Sequence, residues 1–299
     1  MGGTNNYRTD IHEEQQRAQK AAGQSAFQYT QTVKQSVPQK QWKAHVTLEP
    51  LGVKVRESCD LPPYHPESRA YMIVFDVTGS MGEYPKIMRS ELPKLMDGLY
   101  AKGVKDPQVC FGAVGDAWSD QIPLQIGQFE SDNTADQHLD NTFLEGGGGS
   151  NHHESYDLAA YFAAYHTSID CFNKRGVKGV FITIGDELYY NEVNPEHVAR
   201  VVGDNLEAPI PIKTLVQDVQ KTFEWFHILA NRPVGYGTRN LEAWEDLLGP
   251  ERVVVLDDPK DICEVITKII LGHEAGLSAN RVNPPEEASA APQSGTKRI

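Results

Sequence analysis

Five short runs of this chain are apolar at nearly every position: Tyr71–Phe75, Val109–Val114, Gly179–Ile184, Trp225–Ala230 and Arg252–Leu256. A strand with one wet face alternates apolar and polar residues. A run that does not alternate is buried on both faces and needs a layer above and below it. Helical patterns lie between the runs, over 83–101, 155–169, 195–202, 213–223, 241–248 and 259–273. The segment 155–169 carries Leu158, Tyr161, Phe162, Tyr165 and Ile169 at helical spacing, and 259–273 carries Ile262, Val265, Ile266, Ile269 and Ile270. This alternation predicts an α/β fold: a doubly wound, mainly parallel sheet with helices on both faces. Residues 124–129 predict a shorter strand, and Pro93 predicts a kink or an early end to its helix.

The flanks read differently. Residues 1–43 are rich in Gln, Lys, Ser and Thr, with six Lys or Arg against three Asp or Glu. So few branched apolar residues predict a flexible, solvated tail, with a transient helix over 11–22 and an electrostatic docking arm as the alternative. Residues 44–69 read as a strand-like extension, a hairpin around Pro50-Leu51-Gly52, and a stiff linker, Leu61-Pro62-Pro63-Tyr64-His65-Pro66. The main domain is expected over 70–274, and a disordered tail over 275–299.

With 299 residues the chain can bury a substantial core. Its net charge of −13 disfavours nucleic acid and anionic membranes as partners and suits a protein that gathers cations. Cys59, Cys110, Cys171 and Cys263 lie far apart with no CxxC pair or zinc spacing, and read as small apolar fillers in a reducing compartment. No run has the length of a membrane span, and residues 1–6 lack a signal-peptide core, so a cytoplasmic protein is expected.

A parallel sheet lines up the carboxyl ends of its strands on one rim, where ligands bind. Three loops fall there: Asp76-Val77-Thr78-Gly79-Ser80, Glu145 to Ser155, and Gly185-Asp186-Glu187. The plainer reading of the first is a helix cap. Yet Asp76, Glu154 and Asp186 brought together without a cation would repel one another, and acids with hydroxyls form a hard oxygen set suited to Mg²⁺. The histidines at 152 and 153 miss the HExxH spacing, since Tyr156 stands four residues after His152. The glycine run 146–149 has no Lys in phosphate-loop position and reads as room for backbone near the metal. Tyr189-Tyr190 reads either as an interface anchor or as core.

Asp76-x-Thr78-x-Ser80, an oxygen-bearing glycine loop before a helix, and an acid after a later buried strand resemble the von Willebrand factor type A domain and its metal-ion-dependent adhesion site. The resemblance covers residues 70–272, about two-thirds of the chain. It implies Thr78 and Ser80 as direct ligands of Mg²⁺ (or Mn²⁺ or Ca²⁺), with Asp76 and Asp186 acting through water. The second loop departs from the common pattern, because no Thr lies between Thr142 and Thr167. Asn151-His152-His153-Glu154 instead resembles the integrin β-subunit loop, which assigns Glu154 as the second-loop ligand and Asn151 as an accessory. Asp116, after another strand on the same rim, reads as a second acceptor for metal-bound water or as a turn residue.

The implied function is non-enzymatic: a metal-dependent protein-binding adaptor in which a partner's Asp or Glu completes the ion. Resemblance to bacterial stand-alone members extends the expectation to an intracellular protein serving an AAA+ ATPase. Two alternatives stay open, a structural component of an assembly such as a phage particle and a metal-dependent hydrolase.

Overall fold

The five apolar runs become neighbours in one six-stranded sheet. A computed structural model describes residues 6–23, 26–60, 64–147, 151–230 and 237–282. The sheet consists of β1 (Arg69–Asp76), β2 (Pro107–Val114), β3 (Leu124–Ile126), β4 (Gly179–Gly185), β5 (Phe223–Ala230) and β6 (Val253–Leu256), in the order β6-β5-β4-β1-β2-β3. All neighbours are parallel except β3, which runs antiparallel to β2 at the edge. Every residue of β1, β2 and β4 is buried, as runs without alternation require.

The helices are α1 (Thr9–Ala21), α2 (Gln28–Ser36), α3 (Tyr84–Ala101), α4 (Thr134–Asn141), α5 (Tyr156–Tyr165), α6 (Asp170–Arg175), α7 (Pro195–Val201), α8 (Ile212–Val219), α9 (Gly237–Leu248) and α10 (Ile262–Val282). Successive strand residues point to opposite faces. Tyr71, Ile73 and Phe75 of β1 therefore meet Leu92 and Leu95 of α3 and Ile266 and Ile270 of α10. Met72 and Val74 meet the other layer, with Leu158 and Phe162 of α5, Leu215 of α8 and Trp244 of α9.

The chain winds outward from β1 through β2 and β3, then restarts beside β1 with β4 and winds the other way. Ligands of such sheets bind outside the strand ends at this reversal. Phe75 faces Ile184 in register, so Asp76 and Gly185 end β1 and β4 side by side, with Asp186 next.

Several boundaries differ from expectation for physical reasons. α3 runs unbroken through Pro93. Burial of Leu92, Leu95, Met96 and Leu99 at about 1.5–3 kcal/mol each outweighs the roughly 3 kcal/mol of an interior proline. The hairpin expected at 45–55 is absent among the described residues. Val55–Glu57 instead pairs in parallel with Thr167–Ile169, which takes 167–169 out of α5. The linker residues Leu61–Pro63 lie outside the described residues. Residues 275–282 belong to α10 rather than to a disordered tail, and 283–299 lie outside the described residues. Among the described residues, no helix is long and apolar enough to cross a membrane.

The largest correction concerns the flexible tail expected over 1–43: residues 1–5, 24 and 25 lie outside the described residues, and the rest hold two helices docked on the domain. Their anchors are mostly polar, which a count of apolar residues does not register. Tyr7 donates to Asp136 Oδ1 at 3.1 Å, and His12 Nδ1 lies 2.8 Å from the same oxygen. Arg89 of α3 holds Asp140 through Nε at 2.8 Å and Nη2 at 3.2 Å and reaches Asp136 at 3.4 Å. Further along, Val33 packs with Ile122 and Phe143 in a small core of its own.

Arg89→Ala leaves Asp136 buried with its charge less compensated, so unfolding in urea is expected to lose about 3–5 kcal/mol. A wild-type midpoint would show that this network does not hold the N-terminal helices.

Candidate metal centre

Asp76 is fully buried at the end of β1. Its Oδ1 accepts the Thr78 amide at 2.7 Å and the Thr78 hydroxyl at 2.6 Å, which folds the first loop back over the strand end. Thr78 Oγ1 lies 3.0 Å from Ser80 Oγ, and Ser80 Oγ donates to Asp186 Oδ1 at 2.8 Å. A chain of side-chain oxygens thus runs from β1 to the loop after β4, across the reversal of the sheet.

The second loop closes this row from above. Gly146 N donates to Val77 O at 3.3 Å, and Gly79 N donates to Gly147 O at 2.9 Å. A Cβ on Gly79 would stand 3.1 Å from Gly146 O, so the loops touch through backbone. Gly148–Ser150 lie outside the described residues. The chain then returns as His153–Glu154, paired in parallel with Leu188–Tyr189, and brings Glu154 inward. Glu154 is buried, and its Oε2 has no hydrogen-bond partner.

Burial and then Asp186 push the Asp76 carboxyl above the usual range, against the opposing pull of the Thr78 hydrogen bonds. Burial also pushes Glu154 up, helped in turn by Asp76, Asp116, Asp120 and Glu187. After burial, the strongest influences on Glu154 are thus all carboxylates. Such a group is poised either to hold a proton or to meet a cation.

The donor set fits a hard divalent ion. Three carboxylates and two hydroxyls supply only oxygen, and Glu154 has a buried oxygen left over for it. Among the described residues, Asp76, Glu154 and Asp186 are not a group whose ligand atoms all lie within 4.8 Å of one another. Among the described residues, the group that does meet that spacing is Cys59, Asp60 and Asp170. There Arg56 and Lys174 each lie 2.9 Å from Asp170, so the charge is already compensated.

The two accessory residues have other work. Asn151 donates to Tyr190 Oη at 2.7 Å and accepts the His153 amide at 3.1 Å, so its side chain braces the loop. Asp116 accepts the Trp118 amide at 3.0 Å and the Tyr190 hydroxyl at 2.8 Å, a turn residue that also anchors a rim tyrosine. Tyr189 donates to Ala243 O at 3.0 Å. The Tyr189-Tyr190 pair is therefore split between α9 and the rim.

Two contributors escaped the sequence reading. Tyr156 is buried, donates to Asp76 Oδ2 at 3.3 Å, and sits in an apolar helix where it reads as core. A Cβ on Gly185 would lie 1.7 Å from Tyr156 Oη and 3.0 Å from Asp76 Cβ, so only glycine lets β4, Tyr156 and Asp76 meet. Asp120 accepts the Asp116 amide at 2.9 Å and sits against Gly147, where a Cβ would be 2.2 Å from Oδ1. The one available signal was Asp120's place, four residues after Asp116 on the same rim.

No protein-family model and no curated protein matches the chain. Solved structures that align with it include the pilus adhesin SpaC from Lactobacillus rhamnosus GG in its open conformation, at 9% identity and TM-score 0.46 over 74% of this chain and 31% of that one. Proximal thread matrix protein 1 from the mussel byssus, with a zinc-occupied MIDAS motif, aligns at 11% identity and TM-score 0.44 over 69% and 48%. The D319A mutant of the PilB minor pilin from Streptococcus sanguinis aligns at 12% identity and TM-score 0.44 over 73% and 64%. The aligned region spans less than two-thirds of each of these chains.

Glu154→Gln replaces a carboxyl whose ionisation is opposed by burial and by Asp76. The metal-free protein is expected to gain about 1–3 kcal/mol of stability in chemical denaturation, while the stabilisation by added Mg²⁺ disappears. A variant that loses stability yet still responds to Mg²⁺ would refute the role given to Glu154. Gly185→Ala, by contrast, is expected to lower stability and abolish the Mg²⁺ response together.

Proposed function

We propose that this chain is a von Willebrand factor type A module whose rim binds Mg²⁺ and, through it, an acidic side chain of a protein partner. The observation that carries the reading is the buried, partnerless Glu154 oxygen, within the field of Asp76 at the end of the Thr78–Ser80–Asp186 row of oxygens. Thr78, Ser80 and Glu154 would hold the ion directly, with Asp76 and Asp186 behind water. Bound there, a dication supplies a charge that a single partner carboxylate can complete, a contact strong enough to dominate recognition.

The rim around the site supports a protein ligand. Trp118 is 62% exposed, its ring 4.6 Å from His197 and 6.4 Å from Tyr190, and Tyr190 in turn stacks on His153 at 5.3 Å. The Ala117 amide bonds Ser155 Oγ at 2.8 Å, which fixes this aromatic ledge beside Glu154. Rigid exposed rings next to a charge are common anchors of protein interfaces. The role of an adaptor that recruits clients to an AAA+ ATPase, which rests on the resemblance, and a cytoplasmic setting belong to this proposal.

Mg²⁺ at 100 times its Kd is expected to stabilise the protein by about 2.7 kcal/mol, reversed by EDTA. Capture of a partner from lysate is expected to need Mg²⁺, to fail with Ser80→Ala, and to weaken by about 1–3 kcal/mol with Trp118→Ala. Capture indifferent to EDTA and to Ser80→Ala would sink the adhesion reading, and metal-dependent turnover of an ester or phosphate would replace it with a hydrolase.

A further inference from the structure

We infer that the N-terminal arm is a positioning element of the metal centre: α2 holds the backbone of the second loop, through Thr30 and Lys34, against the loop that carries Thr78 and Ser80. The inference rests on the metal reading above and adds a regulator to that site.

The contacts run in an unbroken line. The buried Thr30 hydroxyl donates to Thr142 O at 3.1 Å and accepts the Leu144 amide at 2.9 Å. It thereby serves residues 142–144 as a neighbouring strand would. One turn later Lys34 Nζ donates to Glu145 O at 3.0 Å. The same ammonium lies 5.6 Å from the Trp42 ring and 5.7 Å from the Phe143 ring, so two aromatic faces hold it in place. The Glu145 carboxylate turns the other way and accepts the amides of Gln121 at 3.1 Å and Ile122 at 3.0 Å. Glu145 is thus pinned by the arm on its backbone and by the domain on its side chain.

The next two residues are the glycines whose backbone meets Val77 and Gly79. Thr78 lies between those two. A shift of Glu145 would therefore carry Gly146 and Gly147 off the first loop and loosen the hydroxyls proposed as ligands. Groups that orient ligands from behind typically change metal affinity by about 10–100-fold when removed. Thr30 and Lys34 act on backbone one step further out, so the low end of that range applies.

Linkage makes the relation mutual. If docking of the arm tightens ion binding, the ion tightens docking of the arm by the same factor. The arm also meets the domain through Tyr7 and His12 on Asp136, Thr9 on Asp97, and Val33 against Ile122 and Phe143, so a partner that displaced the whole arm would weaken ion binding as well.

The test uses the full chain and Mn²⁺ as probe, titrated by calorimetry into wild type, Lys34→Met, Lys34→Arg and Thr30→Val. Lys34→Met keeps the aliphatic stem between the rings and removes the donor, and Thr30→Val keeps the volume and removes the hydroxyl. Both are expected to bind Mn²⁺ about tenfold more weakly, while Lys34→Arg stays within about twofold of wild type. Hydrogen exchange over residues 28–36 is expected to slow on adding Mn²⁺ to wild type. This response separates coupling from a general loss of stability. Wild type that binds Mn²⁺ with an affinity shared by Lys34→Met and Thr30→Val, and no slowing of exchange, overturns the arm's role alone. Wild type that binds no Mn²⁺ overturns the metal reading and this inference with it.

Discussion

Asp76 and Glu154 are held out of water, within each other's field, at the point where the sheet changes direction. Two such charges cannot both persist there unaided. Either a proton or a cation must be present, and the surrounding oxygens of Thr78, Ser80 and Asp186 are of the kind a hard cation takes. Folding a sheet around this repulsion lowers stability wherever nothing compensates it, which is the leverage the proposed ion would have. Most of the distinctive local structure is arranged about that one conflict.

The arrangement is rigid because it is built from the core outward. The Tyr156 phenol reaches Asp76 from a ring packed edge-on against His227 at 5.5 Å and Trp244 at 5.3 Å. His227 stacks on Trp244 at 3.6 Å, and burial holds its imidazole neutral by pushing its pKa well below the ordinary value. The aromatic layer beneath the strand ends therefore adds no positive charge to the site above. Compensation has to come from solvent or a ligand, which is what a binding site requires.

The N-terminal segment shows how polar residues can dock a helix. A buried network around Asp136 and Arg89 fastens α1, while the α2 contacts are shared between a small apolar core and hydrogen bonds to the second loop. Each polar anchor is favourable only because its partner is already fixed by the domain, since an unpaired buried group would cost more than the bond contributes.

The α/β architecture was legible in the sequence because two-face burial leaves a local mark: Tyr71–Phe75, Val109–Val114 and Gly179–Ile184 are apolar without alternation, too short for a buried helix and matched to a covered central strand. Asp76, Thr78, Ser80 and Asp186 were legible for a similar reason, as polar residues directly after such runs. Neither local pattern shows which strands are neighbours. The order β6-β5-β4-β1-β2-β3 brought Asp186 to Ser80 and left Gly185 as the only residue that fits against Tyr156 and Asp76. Tertiary structure also turned Asn151 towards Tyr190 and docked a segment whose composition reads as unfolded. Burial on both faces is written into a strand's own residues, whereas a hydrogen-bond partner a hundred residues away is not.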